Sequence, residues 1–235
     1  MNFTPIQLNV LKNFATINAS QFIYKDKFLC YNVPKSVVAL YKTDLDFPKG
    51  IDKFAIYNLP EFINVISTFT EPHIEVGEKS VKITSENNKI NYILSNEILQ
   101  NQEFPLNKLE SVFSVNGDIV FTLTQDKIAI INKIIAVMGL EKIYFEFNGK
   151  IMRISVEVEK EISMNNYILD IKDIEIKDNI NNFKIVVPKE DFINLYKEKD
   201  YTVKIQKTDE EGATIKFDSG DIQYIVAAKD TKEEY

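Results

Sequence analysis

Hydrophobic positions along the chain fall into two alternating rhythms. Val10, Leu11, Phe14 and Ile17 follow the i, i+3, i+4, i+7 spacing of one helix face. Thr4 is placed to cap this helix and Pro5 to occupy its first position, and the helix is predicted to run to about Asn18. Three more helical stretches are predicted: Pro60 to about Phe69, Thr124 or Gln125 to Gly139, and Pro188 to about Lys197. Most of the remainder alternates with period two and predicts strands. In the first half these are Phe28–Val33, Val37–Lys42, Lys53–Tyr57, His73–Val76, Ser80–Thr84 and Lys89–Leu94. In the second half they are Ser111–Leu123 (broken at the turn dipeptide Asn116-Gly117), Lys142–Phe147, Ile151–Val158, Asn166–Ile171, Phe183–Val187, Tyr201–Gln206, Ala213–Phe217 and Ile222–Ala228.

The order is helix, strands, helix, strands, and then the same again. Two of the helix starts share wording: "NLPEFINVIS" and "VPKEDFINLYK" both carry a proline, an acidic residue and the triplet Phe-Ile-Asn. The polar segment "SNEILQNQEFPLNKLES", residues 95–111, breaks the alternation and reads as a connector. The chain is therefore expected to form two domains on one plan, 1–107 and 108–235. Each is itself a doubled unit of one helix plus several strands.

The helix faces set up an expectation about chemistry. The first helix should expose Asn9, Lys12, Asn13 and Thr16. The second should expose Asn64, Ser67 and Thr68, with no lysine. The third should bury Ile128, Ile131, Ile135 and Met138 and expose Gln125, Asn132 and Lys133. The fourth should bury Phe192 and Ile193 and expose Lys189, Asn194 and Lys197. Four short helices thus present neutral-to-basic faces, while carboxylates gather in strands and loops such as "VEVEKE" and "TDEEG".

Net charge changes this picture. At -7 the chain is acidic, which on average argues against a nucleic-acid binder, although distribution decides. Arg153 is the only arginine, so bidentate reading of guanine is poorly provided for. Lysines can still meet phosphates without regard to sequence. The start "MNFTPIQLNV" has no basic region followed by an apolar run, so no signal peptide is expected. No apolar run approaches the length of a membrane span. Cys30, the single cysteine, precludes an internal disulfide and is expected to be a buried, inert thiol.

Catalytic chemistry is hard to assemble. There is no phosphate-cradling glycine motif, and His73 is the only histidine. One histidine and one cysteine leave no ordinary zinc site, and no metal or cofactor is expected. His73 follows Pro72 in an expected turn and reads as a surface residue. Asp44 and Asp46 read as a solvated loop rather than a magnesium site. No enzyme activity is expected.

Four stretches stand out: "VLKNFATIN" (Val10–Asn18), "FAIYNLPEFINVIS" (Phe54–Ser67), the Phe104-Pro105 step and "GATIKFDSGDIQYIVAAKD" (Gly212–Asp230). In these the chain resembles the DNA polymerase sliding clamps of T-even-type tailed phages. The stretch "GDIQYIVAAK" is also similar to the C-terminal strand of cellular clamps. The resemblance implies an α+β fold of two similar DNA-clamp domains, each with two helices on antiparallel sheets. It implies a homotrimeric ring whose helices line a hole for duplex DNA, bound without sequence specificity. It also implies a clamp loader, a docking peptide from the replicative DNA polymerase, a part in late transcription, and the cytoplasm of an infected host cell as the place of action.

On this resemblance Lys12, Lys133, Lys189 and Lys197 are expected to face phosphates, joined by Lys127 and Lys199. A groove for partner peptides is expected at Val33, Val37, Leu99, Phe104, Pro105, Ile225 and Ala227, for each of which plain core packing is the competing reading. Edge strands are expected to join subunits through Lys89, Ile90, Tyr92 and Leu94 on one side and Asn166, Ile168 and Asp170 on the other. Two alternatives stand beside this reading: a β-rich oligomeric virion structural or assembly protein, and an enzyme with an acidic active site.

Overall fold

A computed structural model describes residues 1–99, 103–157, 166–177, 180–208 and 212–231. The chain divides into two compact units, Met1–Asn107 and Lys108–Tyr235. The carboxylate run at 156–161 and the "TDEEG" loop fall largely outside the described residues, as does Val158.

Unit 1 opens with α1 (Pro5–Ile17), which starts where the sequence places it. Thr4 Oγ1 accepts from the Gln7 backbone, and Gln7 Oε1 accepts in return from the Thr4 N–H at 2.7 Å. Strands β1 (Gln21–Tyr24), β2 (Lys27–Tyr31), β3 (Val37–Lys42) and β4 (Lys53–Ile56) follow. They pair antiparallel in the order β4-β1-β2-β3. Helix α2 (Leu59–Ser67) is capped by Asn58. It leads into β5 (His73–Val76), β6 (Ser80–Ser85) and β7 (Asn88–Ile93), a second antiparallel sheet. His73 lies in β5 rather than in a turn, and is exposed. A short α3 (Asn96–Leu99) begins the connector.

Strand β1 is not expected from the sequence. All four of its residues are buried, so its pattern lacks the alternation of a half-exposed strand. In the core, Phe54 packs against Phe47 and Phe62, and Phe62 against Tyr92. Cys30 is buried and free, as expected, with its Sγ 3.5 Å from the Phe14 carbonyl; burial pushes its pKa up.

A 3-10 helix, Leu106–Lys108, leads into α4 (Leu109–Phe113) of unit 2, where alternation predicts a strand from Ser111. Lys216, itself buried, donates to the Phe113 carbonyl at 3.0 Å and so satisfies the end of that helix. Only β8 (Ile119–Leu123) of the expected Ser111–Leu123 run is strand. Then come α5 (Gln125–Met138), β9 (Lys142–Phe147), β10 (Met152–Glu157), β11 (Tyr167–Ile171), β12 (Ile174–Ile176), β13 (Phe183–Pro188), α6 (Lys189–Ile193), β14 (Tyr201–Thr208), β15 (Gly212–Asp218) and β16 (Ile222–Asp230). Gly139 ends α5 in the left-handed conformation at φ 65°.

Helix α6 stops at Ile193, well short of Lys197. Two buried tyrosines account for this. The Tyr196 N–H donates to Tyr224 Oη at 3.1 Å, and Tyr201 Oη donates to the Tyr196 carbonyl at 2.7 Å. These bonds take up the backbone that a further helical turn would use. They also draw Leu195 and Tyr196 into the core. Ile193, expected inside, is left 37% exposed.

The two units repeat one topology internally. In unit 2 the strand before each helix pairs with the first strand after the other helix: β8 with β14, and β13 with β9. In unit 1, β4 pairs with β1 in the same way. The fourth place is taken by Met1, whose backbone exchanges hydrogen bonds of 2.7 and 3.0 Å with Ile74 of β5.

Candidate nucleic-acid interface

Helix α1 carries Lys12 on its exposed face, with Asn9 and Thr16 beside it, while Val10, Leu11 and Phe14 are fully buried. On α2 the exposed positions are Pro60, Glu61, Asn64 and Ser67, with Thr68 exposed just past its end. Ser67 and Thr68 turn their hydroxyls back to the Ile63 and Val65 carbonyls, and Glu61 accepts from Asn58 Nδ2 at 3.1 Å, so this helix offers no cation.

Helix α5 departs from expectation. Its solvent side carries Asp126, Ile130, Lys133 and Val137, with Ile130 47% and Val137 76% exposed. Asn132, expected outside, is buried, and neither its Oδ1 nor its Nδ2 has a hydrogen-bond partner among the described residues. Met138 is half-buried rather than buried. An unpaired buried amide costs about 1–3 kcal/mol. Replacing Asn132 with leucine is therefore expected to stabilise unit 2 by about 1–2 kcal/mol, read as a shifted urea midpoint with unchanged slope. A loss of stability instead would mean that the amide finds a partner in solution.

The lysines differ in whether a carboxylate holds them, and Lys42, Lys89, Lys204 and Lys229 on strands also have no ion partner among the described residues. Among the described residues no ion pair engages Lys12, Lys127, Lys133 or Lys197. Lys53, Lys82, Lys207 and Lys216, on strands, are each held by a carboxylate. The Lys82 ammonium holds the Glu75 carboxyl below its usual range. Two of the expected phosphate-facing groups belong to the held kind: Lys189 lies 4.0 Å from Glu141, and Lys199 3.1 Å from Asp221. Lys197 and Lys199 also lie beyond the end of α6. Lys12, Lys127 and Lys133 are thus the helix lysines with no carboxylate of their own.

The residues expected to form a peptide groove split by unit. In unit 1, Val37 and Leu99 belong to the core, as the competing reading has it, while Val33 is 88% exposed. Phe104 reaches the surface beside Tyr31, with ring centroids 5.8 Å apart, and Pro105 is exposed. Leu99 and Phe104 line a small cavity of about 20 Å³ with Gln21, Leu29 and Cys30. In unit 2, Ile225 is buried in β16 and Ala227 faces outward.

The expected subunit edges are edges. Among the described residues β7 pairs only with β6, and β11 only with β10. Lys89 and Ile90 are exposed and Tyr92 is half-buried against Phe62, while Leu94 donates back to the Lys79 carbonyl just beyond the strand. On the other side Asn166 and Ile168 are exposed, and Asp170 accepts from Arg153 Nε at 2.8 Å. That pair holds the Asp170 carboxyl low. Ile93, 70% exposed at the end of β7, is not among the residues expected at an edge. Its side chain continues an alternation that has polar residues on both faces, so nothing local marks it out. Among the described residues no cluster of histidine, cysteine or carboxylate side chains could hold a metal ion. No helix among the described residues is long and apolar enough to cross a membrane.

No protein-family model matches the chain, and no curated protein does. Solved structures do. Proliferating cellular nuclear antigen from Entamoeba histolytica aligns over 96% of this chain and 94% of its own, at 13% identity and a TM-score of 0.65. The corresponding antigen from Thermococcus kodakaraensis aligns over 97% and 98%, at 12% identity and a TM-score of 0.64. The DNA polymerase sliding clamp of Pseudomonas aeruginosa matches 96% of this chain but only 62% of its own length, at 12% identity and a TM-score of 0.63. With its antiparallel sheets, few helices and internally repeated units, this chain has the fold of the DNA sliding clamps.

Proposed function

We infer that the protein is a processivity clamp of the T-even phage type. It is a ring of three copies that encloses duplex DNA and tethers the replicative polymerase during synthesis. A fold by itself assigns no function. The observation that carries the reading is that an acidic protein keeps uncompensated lysines on two of its helices. Lys12, Lys127 and Lys133 lie on helices without an ion partner among the described residues, while Lys53, Lys82, Lys207 and Lys216 on strands are neutralised by carboxylates. Such lysines suit loose, sequence-independent attraction to phosphates. Tight binding would oppose sliding, and the lysine-free α2 and the apolar positions of α5 keep the attraction weak.

In this reading an ATP-driven loader opens the ring, and the polymerase docks through its C-terminal peptide near Phe104 and Pro105. The clamp acts in the infected host cytoplasm, where it also assists late transcription. It performs no chemistry itself. The likeness to structures titled as DNA sliding clamps supports the reading, as does a Helicobacter pylori β clamp solved with a DNA ligase peptide. The test is primer extension on a primed single-stranded circle with a phage polymerase and loader. Adding the protein should lengthen products from single encounters by about tenfold or more. Unchanged product length would remove the polymerase-tethering role.

A further inference from the structure

The connector is tied twice to one strand of unit 1. At its start the Ser95 N–H donates to the Ala55 carbonyl at 3.0 Å, and Asn96 Oδ1 accepts from the Ala55 N–H at 2.7 Å. Further on, Glu103 meets Lys53 of the same strand, β4. Lys53 Nζ donates to both carboxylate oxygens, at 2.6 Å to Oε1 and 2.5 Å to Oε2. Tyr24 Oη donates to Oε1 at 3.0 Å. Tyr24 and Lys53 stand directly opposite one another on β1 and β4, so two strands bring their donors to one carboxylate.

The registers show which face this is. Tyr24 shares a face of the sheet with Phe22 and, across to β2, with Leu29 and Tyr31. The opposite face meets α1, where Cys30 Sγ approaches the Phe14 carbonyl. On the face away from α1, Leu99 is buried and Phe104 follows Glu103 onto Tyr31. Burial and the bond to Glu103 push the Tyr24 hydroxyl up, which keeps it a donor. Beyond this point Pro105, Leu106 and Asn107 are exposed. Packing alone holds Phe104 loosely. The small cavity beside it is unfilled, and Gln21 Oε1, on a side chain that lines it, is buried without a partner among the described residues. A two-oxygen, charge-assisted grip fixes distance and direction where a ring contact does not.

We propose that Glu103 is a positioning residue: the clasp of Lys53 and Tyr24 on its carboxylate sets where Phe104 and Pro105 stand, and so pre-forms the surface that a partner peptide meets. This rests on the reading of that surface as the polymerase docking site and names the residue that shapes it. Without the clasp a peptide has to order the connector as it binds, and its affinity falls by that cost.

The chain has no tryptophan, so Phe104→Trp supplies a single reporter. In that background Glu103→Lys, Lys53→Glu and the two together are compared for fluorescence quenching by acrylamide, each variant first shown folded by circular dichroism. Each single change should raise quenching about twofold, and the double swap should reverse most of the rise, because Tyr24 can donate to the relocated carboxylate. In the chain that keeps Phe104, the affinity of a labelled C-terminal peptide of the phage polymerase should fall about fivefold with each single change and recover with the swap. A tryptophan fully exposed before either change, or quenching unmoved by both, would overturn the clasp. Quenching that rises while peptide affinity holds would overturn the positioning role. If the swap restores shielding but the unaltered protein binds no peptide, the clasp stands and the docking site falls.

Discussion

Phe192→Ala should cost unit 2 about 3–5 kcal/mol, the range for emptying a fully buried aromatic site. Phe192 has no solvent exposure. Its ring lies 6.5 Å from that of Phe145 and 6.1 Å from that of Phe217, which in turn meets Tyr201 edge-on at 6.2 Å. Removing the ring deletes the link between β9 and the β14–β15 hairpin. It also loosens the neighbourhood of the Tyr196–Tyr201–Tyr224 hydrogen bonds that terminate α6. Denaturant unfolding followed by fluorescence and circular dichroism reads the change. Where the two units unfold in separate transitions, the one belonging to residues 108–235 should move and the other stay. A loss below about 1 kcal/mol would mean that Phe192 is not packed as described.

The second large effect concerns charge. Replacing Lys12 and Lys133 with glutamate should reduce the direct affinity for duplex DNA by about a hundredfold at 0.1 M salt. The figure follows from counterion release: at that salt concentration each phosphate neutralised by a lysine contributes about 0.9 log unit to the binding constant. The salt dependence of binding should flatten in step. Both side chains are exposed and, among the described residues, have no ion partner, so neither folding nor assembly should change. Lys82→Ala serves as the control: that lysine sits 2.7 Å from Glu75 on a strand, and its removal should leave DNA affinity within about twofold. Fluorescence anisotropy with a labelled duplex measures all of these. Equal effects from Lys82 and from the helix lysines would place the DNA elsewhere.

Much of the fold is legible in the sequence because the signals are local. Thr4, Pro5 and Gln7 write the start of α1 in three residues, and Gly139 writes the end of α5 in one. Strands with one solvated face announce themselves by alternation, as β9 does over Lys142–Phe147. What is not legible depends on distant partners. β1 is buried on both faces and so has no alternation to read. The end of α6 is fixed by tyrosines at 201 and 224, and α4 is finished by a lysine at 216.

The candidate site is harder to read for the same reason. A wheel drawn on α5 puts Asn132 outside because it is polar, yet the helix turns it inward and leaves Val137 to solvent. Lysine positions are readable, but their carboxylate partners are not, and that pairing is what separates Lys189 from Lys12. The groove residues on strand interiors rest on a resemblance. Burial assigns Val37 and Ile225 to the core, whereas Phe104 and Pro105 in the connector remain accessible.

The central claim is topological, so topology is the variable to change. Labelled protein is loaded with a phage clamp loader onto nicked circular duplex DNA, unbound protein is removed, and the circles are then cut at one site. The account predicts retention on intact circles through a high-salt wash and release within minutes of linearisation, with blocked ends restoring retention. Equal retention on circles and on free-ended DNA, or none on either, would contradict it.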